Sequence, residues 1–420
     1  MDAPSNQLVD HYFRHESARL VAALTRRLGI RHMPLAEDAV QTALARAVTS
    51  WSRTGVPSEP SGWLMRVASN HAIDVLRREA KQSSTLPECF EQLADGSADL
   101  AAWEERDLQD SLLRMIFVCC DPSVPAESQT ALALKALCGF SYKEIARALI
   151  STTESIAKRV SRSKHLLRQR GTDLGEINAD QMESRLPDVR RVVYLLFNEG
   201  YSSTQPDRLI RVELCEEAIR LALLLAEHPL TQGAVSSAFL ALLLFHASRL
   251  DARLDSSGAI LLFSEQNVSQ WDLRLLKEAF RWFERATEQP VVSRYHAEAM
   301  IAAEHCQGKL GGKTEWSRIV AAYDLLCRIA PSSIHDMNRA IAVAHHQDAE
   351  AGLQLLESIQ VQELADHYYL WHAARGEMLA MSAQPAMAEA SYRTAWELAP
   401  TQAEKELMCR KIDGLAECDS

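Results

Sequence analysis

Between Phe140 and Arg170 the chain reads FSYKEIARALISTTESIAKRVSRSKHLLRQR. Within this stretch Ser155, Lys158, Arg159 and Arg162 fall at i, i+3, i+4 and i+7, the spacing of one helical stripe. Lys164, Arg168 and Arg170 carry the charge on toward the C-terminal end. A row of ammonium and guanidinium groups binds phosphate oxygens. Such a helix fits a DNA major groove about 12 Å wide, and residues at its N-terminal end, here Thr153, Glu154 and Ser155, would reach base edges.

Two elements must hold that stripe in place. Ile145 and Leu149 line one side of a first helix, and Ile156, Val160 and Leu167 form the apolar stripe of a second. Ala146 is small where the two would cross. Ser151 or Thr152 can cap the second helix, and Ser151 with Glu154 fits a capping box. Helix, short polar turn and capped helix together are the pattern of a helix-turn-helix. A solvated amphipathic helix would explain a basic stripe. It would not explain the turn, the cap and a net +7 over residues 135–170 in a chain whose formal net charge is −11.

That charge is unevenly placed: residues 87–134 carry −8 and residues 171–420 carry −13. Such segregation suggests a nucleic-acid-facing part and a separate acidic body. At 420 residues there is room for two to four domains. Alanine and leucine are abundant and strand alternation is rare, so the expected fold class is all-α. No run of about 18 apolar residues is evident, so no membrane span is expected. The start, MDAPSNQLVDHYFRHE, lacks an apolar signal core, so the protein is expected to stay in the cytoplasm.

Enzyme chemistry finds little support. The sequence holds no glycine-rich phosphate loop, nucleophile elbow or H-E-x-x-H, so no catalytic residue and no cofactor is expected. The nine cysteines form no C-x-x-C, and Cys119–Cys120 sits in an apolar run as buried thiols would. Neither that pair nor His345–His346 has partners at ligand spacing, and DARLDSSGAILLFSE lacks calcium-loop spacing, so no metal is expected either.

Upstream, DHYFRHESARLVAALTRRLG is helical with Gly29 as its stop. LAEDAVQTALARAVTSW is a second helix, followed by the breaker-rich loop SRTGVPSEPSG and a third helix, WLMRVASNHAIDVLRREAKQ. In the second, Glu37, Asp38 and Gln41 share an exposed face. In the third, Trp63, Val67, Ile73 and Leu76 read as core, while Asn70 and Asp74 are exposed one turn apart. Arg66, Arg77 and Arg78 are candidates for phosphate contact. An acidic linker runs over 83–103, and GTDLGEINADQMESRLPD (171–188) is a second boundary. Beyond it helices continue to the end, interrupted by an insertion at 248–272. Near the C-terminus Gly376, Leu379, Ala388, Tyr392, Ala395 and Pro400 stand at tetratricopeptide spacing, and Tyr323 with Pro331 echoes Tyr392 with Pro400.

The stretch from Phe140 resembles the promoter-binding helix-turn-helix of bacterial RNA polymerase sigma factors of the extracytoplasmic-function group, within the sigma-70 family. LAEDAVQTALARAVTSW resembles that family's polymerase-binding helix, and GWLMRVASNHAIDVLRR its segment that opens the −10 element. YLLFNEGYSS and RVELCEEAIRLALLL further resemble a subgroup with a tetratricopeptide-like C-terminal extension. That subgroup carries an Asp/Gly motif, matched in LDSSGAILL by Asp255 and Gly258 but with Ser256 and Ser257 intervening.

The resemblance implies two small sigma domains, 8–82 for core polymerase and the −10 element and 104–171 for the −35 element, then an extension over 186–420. It assigns Glu37, Asp38 and Gln41 to core polymerase. It assigns Trp63, Arg66, Asn70, Asp74, Arg77 and Arg78 to −10 melting, with Asn70 and the loop TGVPSEPSG holding an unstacked base. Thr153, Glu154, Ser155, Lys158, Arg159, Arg162 and Lys164 would contact the −35 element. The expected partners are core RNA polymerase and promoter DNA, and the extension would contact the sigma domains or a regulatory protein. The alternative is a helix-turn-helix regulator whose tetratricopeptide domain senses a ligand or peptide, a reading that leaves the motifs of residues 10–80 unexplained.

Overall fold

The structure, a computed structural model, describes residues 3–83, 105–149, 151–171, 177–202, 209–359 and 368–417. The chain divides into two compact units, Met1–Leu196 with Glu227–Thr231, and Phe197–Ala226 with Gln232–Ser420. The described residues are all-α, with one isolated antiparallel bridge between Leu254 and Ile260.

The first unit begins with α1 (Ala3–Leu28), α2 (Met33–Thr54) and α3 (Pro60–Ser83). Gly29 follows α1 with φ 80°, a left-handed conformation that stops the helix at the expected place. The alanine stripe Ala36, Ala39, Ala43 and Ala47 of α2 is fully buried and lets α3 approach through Leu64, Ala68 and Leu76. The linker expected over 83–103 lies, from residue 84 onward, outside the described residues.

Next come α4 (Glu105–Cys119), α5 (Ala126–Leu137), α6 (Tyr142–Ala148) and α7 (Thr153–Arg170). Leu108 of α4 joins the core of α1–α3, and Arg26 of α1 reaches Asp110 of α4 at 2.7 Å. The segments expected as two small domains are therefore packed together within one unit. Cys119 and Cys120 are buried free thiols, and burial pushes Cys120 up to about 12. Residues 179–188, which read as a boundary, are instead the start of α8 (Ala179–Tyr201), with Pro187 inside the helix. The helix runs on because its apolar positions Met182, Leu186, Val189, Val192 and Val193 are all buried.

The second unit continues with α9 (Val212–Glu227), α10 (Ala234–Ala247), α11 (Leu273–Thr287) and α12 (Arg294–Gly311). It ends with α13 (Trp316–Ile329), α14 (Ser333–His346), α15 (Ala349–Ser358), α16 (Tyr369–Met381), α17 (Pro385–Leu398) and α18 (Gln402–Glu417). From α12 to α15, and again from α16 to α18, each helix packs on the next. One described segment, Ala234–Ala252, is long and apolar enough to cross a membrane by length and composition, and most of it is buried inside the unit as a core helix would be.

Small residues set the helix spacing. A Cβ on Gly376 would stand 2.7 Å from the Tyr392 ring, and one on Gly352 would stand 2.4 Å from Ala344 Cβ. The expected insertion at 248–272 is irregular. Asp255 Oδ1 accepts from Ser257 N (2.8 Å), Ser257 Oγ (2.6 Å) and Ala259 N (2.9 Å), and Gly258 turns the chain with φ 88°. The loop is tied to the last helix, since Arg410 donates to the Ile260 carbonyl.

Candidate nucleic-acid interface

The cationic helix is assembled from its caps inward. Ser141 and Glu144 close a capping box at the start of α6, with Glu144 N donating to Ser141 Oγ (3.2 Å) and Ser141 N to Glu144 Oε2 (2.7 Å). At α7 the cap is Thr152, whose hydroxyl accepts from Ser155 N at 3.1 Å. Of the two residues that could cap, Thr152 holds the extended N-cap backbone (φ −87°, ψ 149°), so Ser151 makes no capping box with Glu154. Gly171 ends α7 in the left-handed region, φ 66°.

Ile145, Ile156, Val160 and Leu167 are buried as the apolar stripes require, and Ala146 is buried at the crossing. Lys135 of α5 fastens the turn that leads into α6 by donating to the Phe140 carbonyl at 3.2 Å. The opposite face is open. Thr153, Glu154, Lys158 and Arg162 are exposed, and Ser155 and Arg159 are half-buried. A shallow surface along α7 is lined by Glu154, Ala157, Lys158, Ser161, Arg162, His165 and Arg168. Lys158 pairs with Glu154 at 2.6 Å, and Arg159 lies 3.8 Å from Glu127. These are exposed contacts of the kind that solvent screens and that yield readily to phosphate.

Ser161 and His165 are additions to the residues expected from sequence. Carrying the stripe on by i+3 from Lys158 and Arg162 finds both. Lys164 sits elsewhere than expected. It follows Val160 by four and precedes Leu167 by three, so helical geometry turns it to the buried side. There its ammonium donates to both oxygens of Glu37, at 2.5 and 2.7 Å.

Glu37 is thus half-buried, whereas Asp38 and Gln41 on the same helix are exposed. Asp38 meets His71 of α3 at 3.4 Å, and Gln41 reaches Ser17 at 3.5 Å. On α3, Arg66, Asn70, Asp74, Arg77 and Arg78 are all exposed, and the first three follow one another at i+4. Trp63 is half-buried against the core, its ring 5.5 Å from that of Trp51, so the pair brackets the loop at 55–59.

Comparisons with known proteins match part of the chain. The family described as Sigma-70 region 2 matches residues 13–82, which span α2 and α3. A family of unknown function matches residues 185–287. An uncharacterized protein of Rhizobium meliloti is 33% identical over 392 residues, covering 92% of this chain and 91% of that protein. No solved structure matches.

Proposed function

We propose that the chain, whose residues 13–82 match Sigma-70 region 2, is a transcription initiation factor of the sigma-70 family, of the extracytoplasmic-function type and with a regulatory helical extension. It joins core RNA polymerase through the Glu37–Gln41 face of α2. It reads the −35 element with α7 and opens the −10 element with α3. The observation that carries the reading is the exposed row Arg66, Asn70 and Asp74 on α3, inside the segment similar to region 2. A row of cation, amide and carboxylate offers one group for phosphate and two for base edges. The capped α6–α7 pair, with its outward Lys158 and Arg162, supports a second DNA contact from the same chain.

For the extension, tetratricopeptide-like helix pairing is supported by Gly376 against Tyr392, and by Pro331 and Pro400 just beyond the ends of α13 and α17. Its acidity would repel DNA and restrain non-specific binding by the cationic front. The reading places the protein in the cytoplasm with the polymerase, and it invokes no catalysis and no cofactor.

Run-off transcription with core polymerase stripped of its own specificity subunit tests this on genomic fragments. The full chain should yield discrete transcripts. A chain that neither binds core polymerase nor directs initiation is not acting as proposed, and stimulation only when another sigma factor is present would favour the helix-turn-helix regulator.

A further inference from the structure

We infer that Glu37 serves two partners in turn, Lys164 in the free chain and core polymerase in the engaged one. The helix-turn-helix thereby masks part of the polymerase-facing helix until polymerase displaces it. This rests on the reading of α2 given above and adds a regulatory contact to it.

The contact is built from parts 127 residues apart in sequence. Lys164 Nζ bridges both carboxylate oxygens of Glu37, with side-chain exposures of 10% for the lysine and 26% for the glutamate. Sheltered in this way, the pair is screened by salt far less than Lys158–Glu154 on the outer face, whose side chains are 70% and 77% exposed. Other helices of the same module also face Glu37. Burial lowers the pKa of Lys135 on α5 and raises that of Tyr142 on α6, and the charge of Glu37 is the next influence on each. The segment just before α2, Ile30–His32, touches α7 as well.

The placement of Lys164 is the informative part. A lysine between Val160 and Leu167 on the buried side of a helix is unfavourable without a partner. No acid of α7 meets it; the partner comes from α2, in the segment similar to region 2. Asp38 and Gln41 stay exposed on that helix, so a polymerase surface can land on them first. Completing the contact then requires Glu37 to leave Lys164. By linkage, whatever frees Glu37 also frees the helix-turn-helix from α2.

The test uses three full-length variants: Lys164→Gln, Glu37→Gln and the exchanged pair Glu37→Lys with Lys164→Glu. Amide hydrogen exchange on the free chain needs no polymerase. Lys164→Gln and Glu37→Gln should speed exchange in both 33–54 and 153–170, and the exchanged pair should restore protection. Binding to core polymerase is then measured by fluorescence anisotropy without DNA. Lys164→Gln should tighten binding three- to tenfold, whereas Glu37→Gln and the exchanged pair should weaken it. Unchanged or weaker binding by Lys164→Gln overturns the masking, as does unchanged exchange in both single variants. If the wild-type chain fails to bind polymerase while the exchange results hold, the fault lies in the functional reading of α2 rather than in the docked contact.

Discussion

Arg170, the last residue of α7, donates from Nη1 to Oδ1 of Asp121 across 3.0 Å, and that carboxylate has no solvent exposure. Arg185 of α8 holds the other oxygen at 3.1 Å, while Ser123 donates its amide and hydroxyl at 2.9 and 2.6 Å. Burial alone would raise the Asp121 pKa. The Ser123 bonds and the two guanidinium groups outweigh it and hold the carboxyl below its ordinary range. A depressed pKa stabilises the fold above the unfolded value, near 3.9, and that contribution fades as pH falls through the folded one. Asp121→Asn should therefore cost about 3 kcal/mol at pH 7, the scale of a broken buried pair, with the gap to wild type narrowing below about pH 4. Urea denaturation of the full chain at several pH values measures both. A gap that stays constant into the acid range would mean that the charge is not what stabilises the turn.

Close helix contacts give a second prediction with a built-in control. Gly352→Ala puts a methyl 2.4 Å from Ala344 Cβ and 2.8 Å from the Ala340 carbonyl, so α14 and α15 must part. Overpacking of this kind costs about 1–3 kcal/mol. Gly414 lies in α18, where an added methyl would meet nothing within 4 Å, so Gly414→Ala should instead stabilise by about 0.5–1 kcal/mol. Thermal unfolding of the two variants should move in opposite directions, and a common direction would undo the argument.

The local code was legible because each signal is short in range. Helix stops such as Gly29, the apolar stripe Ile156–Val160–Leu167 and the loop at Asp255 all depend on neighbours within a turn or two. What the sequence did not show depends on long-range partners. Lys164 reads as another cation of the DNA face until Glu37, far away in sequence, explains why it turns inward. Residues 179–188 look like a linker because Pro187 and several polar residues are conspicuous, yet buried valines carry the helix through. In Ala234–Ala252, serines, His246, Arg249 and Asp251 interrupt the apolar run, and only its neighbours show that most of it is enclosed. Within the candidate site, exposure of Arg66, Asn70 and Asp74 followed from helical spacing alone. The packing of α4 on α1 did not, since nothing local in Leu108 names its partner.

Salt dependence separates the outer cations of α7 from other roles. Each phosphate that a variant no longer neutralises should reduce the slope of log affinity against log salt by about 0.9. Lys158→Ala and Arg162→Ala should each do so in promoter binding by the assembled polymerase complex, and the double variant should flatten the slope by about twice as much. Titrations between low and moderate salt supply the slopes. Weaker affinity with an unchanged slope would place both side chains away from the phosphates.

Asn70 bears on strand opening rather than on binding. Asn70 is exposed on α3, one turn from Arg66 and from Asp74, on the helix that follows the loop bracketed by the Trp51–Trp63 pair. Holding a base out of the stack costs a few kcal/mol, which hydrogen bonds from the pocket must offset. Loss of one such bond, about 1.4 kcal/mol, lowers the open-to-closed ratio roughly tenfold. Asn70→Ala should therefore lower permanganate reactivity of unpaired thymines near the start site by that factor while promoter affinity in the closed complex holds. Full reactivity in the variant would remove Asn70 from the opening step. A parallel fall in closed-complex affinity would move it to simple DNA contact, where Arg66 and Arg77 are better suited by charge.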